Sequence, residues 1–189
     1  MLDLTYPTGP APVLKGAKST RAAEMLPLVD ESGAVHAQAS RTYCHSGSKV
    51  LHPVVHLHII NRDGCIYLQK RAAHKKVCPL KWDTAVGGHI TYGESVLEAL
   101  FRESGEELGF FEFNPYQYGA YLFESRIEKE LIYVFAAVGN FDLHPDNDEV
   151  VEGRWWSVSD IENNLGKDVF TPNFESEYAR VKDYLMALL

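Results

Sequence analysis

The sequence has little of several features that define well-known classes of protein. Its 189 residues include three cysteines, an odd number that forms no metal or disulfide motif, which favours a reducing, cytoplasmic setting. No apolar run approaches the roughly 20 residues of a membrane span, and the start of the chain lacks the apolar core of a signal peptide. Basic residues number 18 against 26 acidic ones, giving a net charge of −8. We therefore expect neither a membrane nor a nucleic-acid partner.

What the chain does have suits one globular domain. Hydrophobic residues make up 46% of the sequence and aromatic residues 12%, enough for a well-filled core. Residues 1–22 hold three prolines and two glycines without periodicity, and are expected to form an irregular arm. This arm either packs on the domain, packs on a partner subunit in a homodimer, or is a poorly ordered leader. Residues 23–189 are expected to be the single domain.

Alternating or β-branched apolar segments predict a sheet with a few helices. Ser159 is expected to cap a short helix from Asp160, and Thr171 to cap the last helix. His56 and His58 are interpreted as structural residues of a strand. The predicted strands are 25–29, 34–39, 50–60, 65–71, 116–124, 127–138 and 154–158.

The stretch GHITYGESVLEALFRESGEELGF, residues 88–110, carries the densest pattern. Ser95 and Glu98 have the spacing of a capping box, and Gly109 supplies a helix stop. On the helix between them, three carboxylates share an arc of about 100°. The three are Glu103, Glu106 and Glu107.

Three like charges on one arc destabilise a helix unless a cation lies between them. Oxygen-only ligands suit Mg²⁺ or Mn²⁺, which share their coordination with substrate phosphates. Arg102 stands four residues before Glu106 and is expected to hold its carboxylate. The alternative is a solvated acidic helix face. The fixed positions of Gly88, Glu94 and Gly109 favour the metal site.

The same stretch resembles the Nudix box, which reads Gly, five residues, Glu, seven residues, Arg-Glu, an aliphatic residue, any residue, Glu-Glu, any residue, Gly and an apolar residue. Ser104 stands at the aliphatic position and is expected to be buried. The resemblance implies an α/β/α sandwich with a mixed central sheet. It also implies a hydrolase of nucleoside diphosphates linked to another group, with the glutamates as metal ligands.

A second set of residues resembles the bacterial type of isopentenyl diphosphate isomerase, which also has the Nudix fold. The resemblance implies that Arg71 and Lys75 hold the diphosphate, close to Gly88, where a glycine pair lets the backbone approach a ligand. The alternative is that residues 71–76 form a basic loop whose charges are simply exposed to solvent. The resemblance further implies a second site for a divalent metal, with three histidines and two glutamates as ligands. These are His45, His52, His89, Glu128 and Glu130.

The residues support this second site independently, though less fully. Glu128 and Glu130 are two apart, so on a strand both point to one face. Neutral imidazoles with carboxylates suit Mn²⁺, Fe²⁺ or Zn²⁺. The alternative is that the glutamates are edge charges and the histidines ordinary polar residues.

One position departs from the isomerase pattern. The isomerases need a catalytic cysteine two residues before the histidine matched by His89, and this chain has Gly87 there. The chain therefore resembles an isomerase-shaped relative that hydrolyses a small-molecule diphosphate. One of the box glutamates, Glu103 or Glu106, or the loop residue Glu149, is expected to help deprotonate the attacking water. An isomerase and a ligand-sensing module without turnover remain alternatives.

Overall fold

The structure, a computed structural model, describes residues 1–9, 11–12, 24–75, 77–145 and 150–189. The chain divides into two compact units. Unit 1 comprises Met1–Val55, Gly88–Leu100 and Gly119–Val134, and unit 2 comprises His56–Gly87, Phe101–Tyr118 and Phe135–Leu189. The helices of the described residues are α1 (Arg41–Cys44), α2 (Val96–Leu108), α3 (Val158–Asn164) and α4 (Pro172–Ala187). The strands are β1 (Met25–Val29), β2 (Val35–Ser40), β3 (Leu51–Ile60), β4 (Ile66–Arg71), β5 (Trp82–Thr84), β6 (Val86–His89), β7 (Tyr116–Glu124), β8 (Lys129–Val138) and β9 (Val150–Trp156).

Seven strands form one sheet in the order β5-β4-β3-β8-β7, with β6 beside β3 and β9 beside β4. Strand β4 is antiparallel to β3, β5 and β9, and β1 forms a separate antiparallel pair with β2. Successive apolar residues of β3, such as Val54 and Val55, are buried, as in a strand covered on both faces. The predicted α+β class with a mixed multi-strand sheet is confirmed.

In unit 1 the β1–β2 hairpin buries Leu26 and Leu28 against Ala37 and Ala39. The described part of the N-terminal arm lies on this hairpin. The Thr5 amide donates to the Gly33 carbonyl at 3.0 Å, and the Gln38 side chain donates to the Ala11 carbonyl at 2.8 Å. The remaining arm residues, 10 and 13–22, lie outside the described part of the chain.

Helix α2 begins and ends as the sequence predicts. The Ser95 amide donates to the Glu98 carboxylate at 2.8 Å and the Glu98 amide donates to the Ser95 hydroxyl at 3.3 Å, which is a capping box. Gly109 follows the helix with a positive φ of 61°, a conformation that glycine adopts without a steric cost. Ser104 is buried, as predicted. No helix among the described ranges is both long and apolar enough to cross a bilayer.

Unit 2 has an aromatic core in which rings of β5 and β9 contact one another and Phe170, which precedes α4. Trp156 packs against Trp82 and Phe170, with ring centroids 5.2 Å apart in both pairs. Thr171 caps α4 by accepting a hydrogen bond from the Phe174 amide, as predicted.

Two details predicted from the sequence were wrong. Ser157, not Ser159, caps α3, because β9 ends at Trp156 and the extended backbone of Ser157 lets its hydroxyl accept from the Asp160 amide at 3.0 Å. The predicted strand 154–158 is β9, which begins at Val150 and ends at Trp156, and the strands β5 and β6 were not predicted. The single turn α1 was not predicted.

Candidate functional site

The three box glutamates lie on the half of α2 that belongs to unit 2. The Arg102 Nη1 donates to the Glu103 carboxylate at 2.8 Å and to the Glu106 carboxylate at 3.3 Å. The Glu103 side chain is 12% exposed and the Glu106 side chain 62%. One guanidinium therefore holds two of the carboxylates, and the predicted pairing of Arg102 with Glu106 is confirmed. The exposure of Glu106 leaves it accessible to a ligand.

The third box carboxylate, Glu107, is held from two other elements of unit 2. The Gln69 side chain on β4 donates to its Oε2 at 3.0 Å, and the Gly87 amide on β6 donates to the same oxygen at 3.3 Å. Sequence reasoning missed Gln69. The available signal was a polar residue within the apolar run of β4, and Gln69 is indeed buried.

Arg71, which is expected to hold the diphosphate, already has partners within the protein. The Arg71 Nη1 donates to the Asp83 carboxylate at 3.1 Å, and its Nε donates to the Val77 carbonyl at 3.2 Å. Asp83 also accepts from the Thr171 hydroxyl at 2.8 Å. Arg71 has five N–H donors, so a phosphate role requires it to share them between Asp83 and a substrate. Lys75 is half-buried, with its amide donating to the Ala72 carbonyl.

In unit 1, the structure brings the three predicted histidines together. His45 follows α1, His52 is on β3, and His89 ends β6. One ring nitrogen from each lies within 4.8 Å of the others. The Nε2 atoms of His45 and His89 are 2.9 Å apart, and the ring of His52 stacks on that of His89 with centroids 5.5 Å apart. These three residues are called the histidine cluster below.

The two predicted carboxylates lie beside the histidine cluster. The His45 Nδ1 donates to Glu128 Oε2 at 2.5 Å, and Glu130 Oε1 is 3.9 Å from His52 Nε2. The hydrogen bond from His45 holds the pKa of Glu128 below its ordinary value, against the opposing effect of burial. A carboxylate behind a ring nitrogen fixes the tautomer and leaves the other nitrogen as a metal ligand.

His52 gives a direct test of whether this site fits a cation. Its Nδ1 donates to the Val50 carbonyl at 3.1 Å, so the other nitrogen, Nε2, carries a lone pair. Burial lowers the pKa of His52 to about 4, which keeps the ring neutral at pH 7. Within the described residues, this buried Nε2 has no hydrogen-bond partner. A neutral imidazole with an unsatisfied buried lone pair, beside two further imidazoles and two carboxylates, fits a divalent metal.

The structure does not test the predicted roles of two residues. Glu149, one of the candidate bases, lies outside the described residues. Gly88 is described and partly buried, but its predicted contact with a ligand stays a prediction.

The fold and the box define the class of protein. The model of the NUDIX domain family matches residues 50–174, and the chain therefore belongs to the Nudix family. It is 30% identical over 142 residues to the isopentenyl-diphosphate Delta-isomerase of Mycolicibacterium vanbaalenii, covering 72% of this chain and 78% of that protein. It is 38% identical over 85 residues to an uncharacterized Nudix hydrolase of Nostoc sp., covering 45% of this chain and 50% of that protein.

Solved structures give the same fold. The crystal structure of DR0079 from Deinococcus radiodurans superposes with a TM-score of 0.73 at 21% identity, covering 83% of this chain and 98% of that one. At this identity the likeness concerns the fold. The predicted membership of a Nudix subgroup resembling isopentenyl diphosphate isomerase is confirmed by the relatives together.

Proposed function

We propose that this Nudix protein is a divalent-metal-dependent hydrolase that cleaves a diphosphate linkage in a nucleoside diphosphate derivative or a related small molecule. The observation that carries the proposal is the complete set of box carboxylates. Arg102 holds Glu103 and Glu106, and Gln69 and the Gly87 amide hold Glu107. Carboxylates fixed in this way are oriented before a cation arrives, which is what a catalytic metal site needs.

Each group of residues has a separate task in this proposal. Glu103, Glu106 and Glu107 hold Mg²⁺ or Mn²⁺. The bound metal would lower the pKa of an attacking water and offset charge on the phosphates. Arg71 and Lys75 position the diphosphate, with Arg71 shared between Asp83 and the substrate. One of the box glutamates, or Glu149, takes a proton from the water.

A second candidate function is isomerisation of isopentenyl diphosphate. It is favoured by the histidine cluster with Glu128 and Glu130 and by the isomerases among the relatives. Gly87 argues against it, because it places no thiol where the isomerases need one. Cys44 does not substitute for that thiol, since it is fully buried and burial raises its pKa to about 12.

The test is a phosphate-release screen with Mg²⁺ and with Mn²⁺, over nucleoside diphosphate sugars, dinucleoside polyphosphates, nucleoside triphosphates and isoprenoid diphosphates. Glu106→Gln removes an exposed carboxylate and should lower kcat at least about 100-fold without unfolding the protein. Glu112→Gln, an exposed acid outside the box, is the matched control and should keep full activity. Unchanged activity in Glu106→Gln would refute the assignment of this glutamate. Conversion of isopentenyl to dimethylallyl diphosphate, with no hydrolysis, would replace the proposal by its alternative.

A further inference from the structure

A buried group of two histidines and one glutamate lies in unit 2, outside the residues used above. The His56 Nδ1 is 2.8 Å from Glu177 Oε2, and the His58 Nε2 is 2.7 Å from Glu177 Oε1. His56 and His58 are two apart on β3 and so share a face, which meets Glu177 on α4. The side chains of Glu177 and His58 are 0% exposed, whereas that of His56 is 12% exposed. These three residues are called the triad below.

Glu177 is ionised within the triad. Burial alone would raise the pKa of Glu177, but the charge and hydrogen bonds of His56 and His58 outweigh burial and hold it well below its ordinary value. An ionised carboxylate only accepts hydrogen bonds, so the facing nitrogen of His56, its Nδ1, carries a proton. In the neutral ring the lone pair then lies on Nε2. This is the arrangement in which a carboxylate prepares an imidazole to accept a proton and stabilises the imidazolium that forms.

The opposite edge of the His56 ring faces Gly87. A Cβ built on Gly87 would lie 3.3 Å from His56 Cδ2 and 3.4 Å from Nε2. Gly87 is exposed, and its amide donates to the box carboxylate Glu107 at 3.3 Å. The absence of a side chain at Gly87 therefore leaves the Nε2 edge of His56 next to a residue that is itself hydrogen-bonded to the box.

We propose that His56, rather than a box glutamate or Glu149, is the general base of this Nudix site, acting as a catalytic residue through its Nε2, and that Glu177 is its positioning residue. This inference rests on the hydrolase function proposed above. The His56 Nε2 takes a proton from water as the water oxygen forms a bond to phosphorus. The bridging P–O bond breaks, and its electron pair leaves with the departing phosphate. His56 is then an imidazolium paired with Glu177, and returns its proton to solvent after product release.

A purely structural triad that ties β3 to α4 is the competing explanation, and steady-state kinetics separates the two. His56→Gln should lower kcat at least about 100-fold, with KM within about threefold, because a general base acts in the transition state. Glu177→Gln should lower kcat at least about tenfold by loosening the ring and its tautomer. His36→Gln, which removes an exposed imidazole on β2, should change neither constant. A kcat of His56→Gln within about threefold of the original would overturn the proposal.

Chemical rescue distinguishes the loss of the catalytic base from a folding defect. In His56→Ala, added imidazole should restore kcat at least about tenfold, because a free base can occupy the space left by the ring. Imidazole should not rescue Glu106→Gln, whose defect lies in the box. A folded His56→Ala variant that is inactive and not rescued would assign the triad a structural role only. An inactive Glu106→Gln beside a fully active His56→Gln would leave the hydrolase intact and remove this inference alone.

A second experiment needs no substrate. Gly87 has no left-handed φ, so Gly87→Cys places a thiol beside His56 with a small local shift. A neighbouring imidazolium promotes the thiolate, the reactive form. Alkylation by iodoacetamide at about pH 6, followed at this cysteine by mass spectrometry, should be at least about tenfold faster in Gly87→Cys than in Gly87→Cys combined with His56→Gln. Equal rates would overturn the placement of the His56 ring, even if no substrate is cleaved.

Discussion

The histidine cluster of unit 1 and the triad of unit 2 use the same side chains in opposite arrangements. In the histidine cluster the ring nitrogens face one another, and the carboxylates stand beside or behind them. In the triad the Glu177 carboxylate stands between two rings and accepts from both. One arrangement directs ring nitrogens to a common point, and the other gives the carboxylate two hydrogen-bond donors.

This difference predicts what each group needs. The buried Nε2 of His52 has no hydrogen-bond partner among the described residues, and a cation bound between the ring nitrogens would satisfy it. In the triad the buried Nδ1 of His58 likewise has no hydrogen-bond partner among the described residues, but the Glu177 carboxylate is satisfied by both rings, so the triad needs no cation to hold it together. The histidine cluster should therefore depend on metal, and the triad should be a built-in part of the fold.

The largest expected effect is the loss of stability on removal of the Glu177 carboxylate, which lies between the two rings of the triad. Glu177→Ala leaves two buried imidazoles without their acceptor, and breaking a buried charged group in this way costs about 3 kcal/mol or more. In a chain of this size that corresponds to a drop in Tm of about 6–12 °C, measured by calorimetry with EDTA present. Asp183→Ala, at an exposed position of the same helix, should stay within about 0.5 kcal/mol of the original protein. Equal Tm values for the two variants would show that Glu177 stabilises nothing.

A somewhat smaller effect is expected on the affinity for Zn²⁺, which should depend on the histidine cluster and not on the triad. Zn²⁺ prefers imidazole nitrogen, so competition with a chromophoric chelator reports on the histidine cluster more than on the box. His89→Ala should weaken Zn²⁺ binding about 100-fold, or about 2.7 kcal/mol, since one of three imidazole ligands is lost. His58→Gln removes an imidazole from the triad and should leave the affinity within about threefold. Similar losses in both variants would mean that the two groups do not differ in the way described.

Local pattern was enough to predict much of this molecule. Ser95, Glu98 and Gly109 fix the ends of α2 because caps act within a few residues. The β-branched run of β3 predicts a buried strand wherever it lies in the sheet. The pairing of Arg102 with Glu106 follows from helix geometry alone.

Local patterns could not predict contacts between residues that are far apart in the sequence. Glu177 lies among the apolar positions of α4, and its partner His56 is 121 residues away, so nothing local indicated that the carboxylate is buried. The ion pair of Arg71 with Asp83 was not predicted, because it depends on how the loop after β4 returns to β5. The histidine cluster was found because a family resemblance supplied the long-range grouping that spacing could not.

The smallest expected effect is a pH dependence of the triad's contribution to stability. The pKa of Glu177 in the folded protein lies below the ordinary value of 4.5, so its contribution is fully present above about pH 4.5 and is lost as the pH falls further. In urea unfolding, the original protein should exceed Glu177→Gln by about 1–2 kcal/mol at pH 7 and at pH 5, and the gap should narrow below about pH 4.5. A gap that stays constant as the pH falls to about 3 would mean that Glu177 is not ionised in the folded protein, and that His56 lacks the charged partner a general base requires.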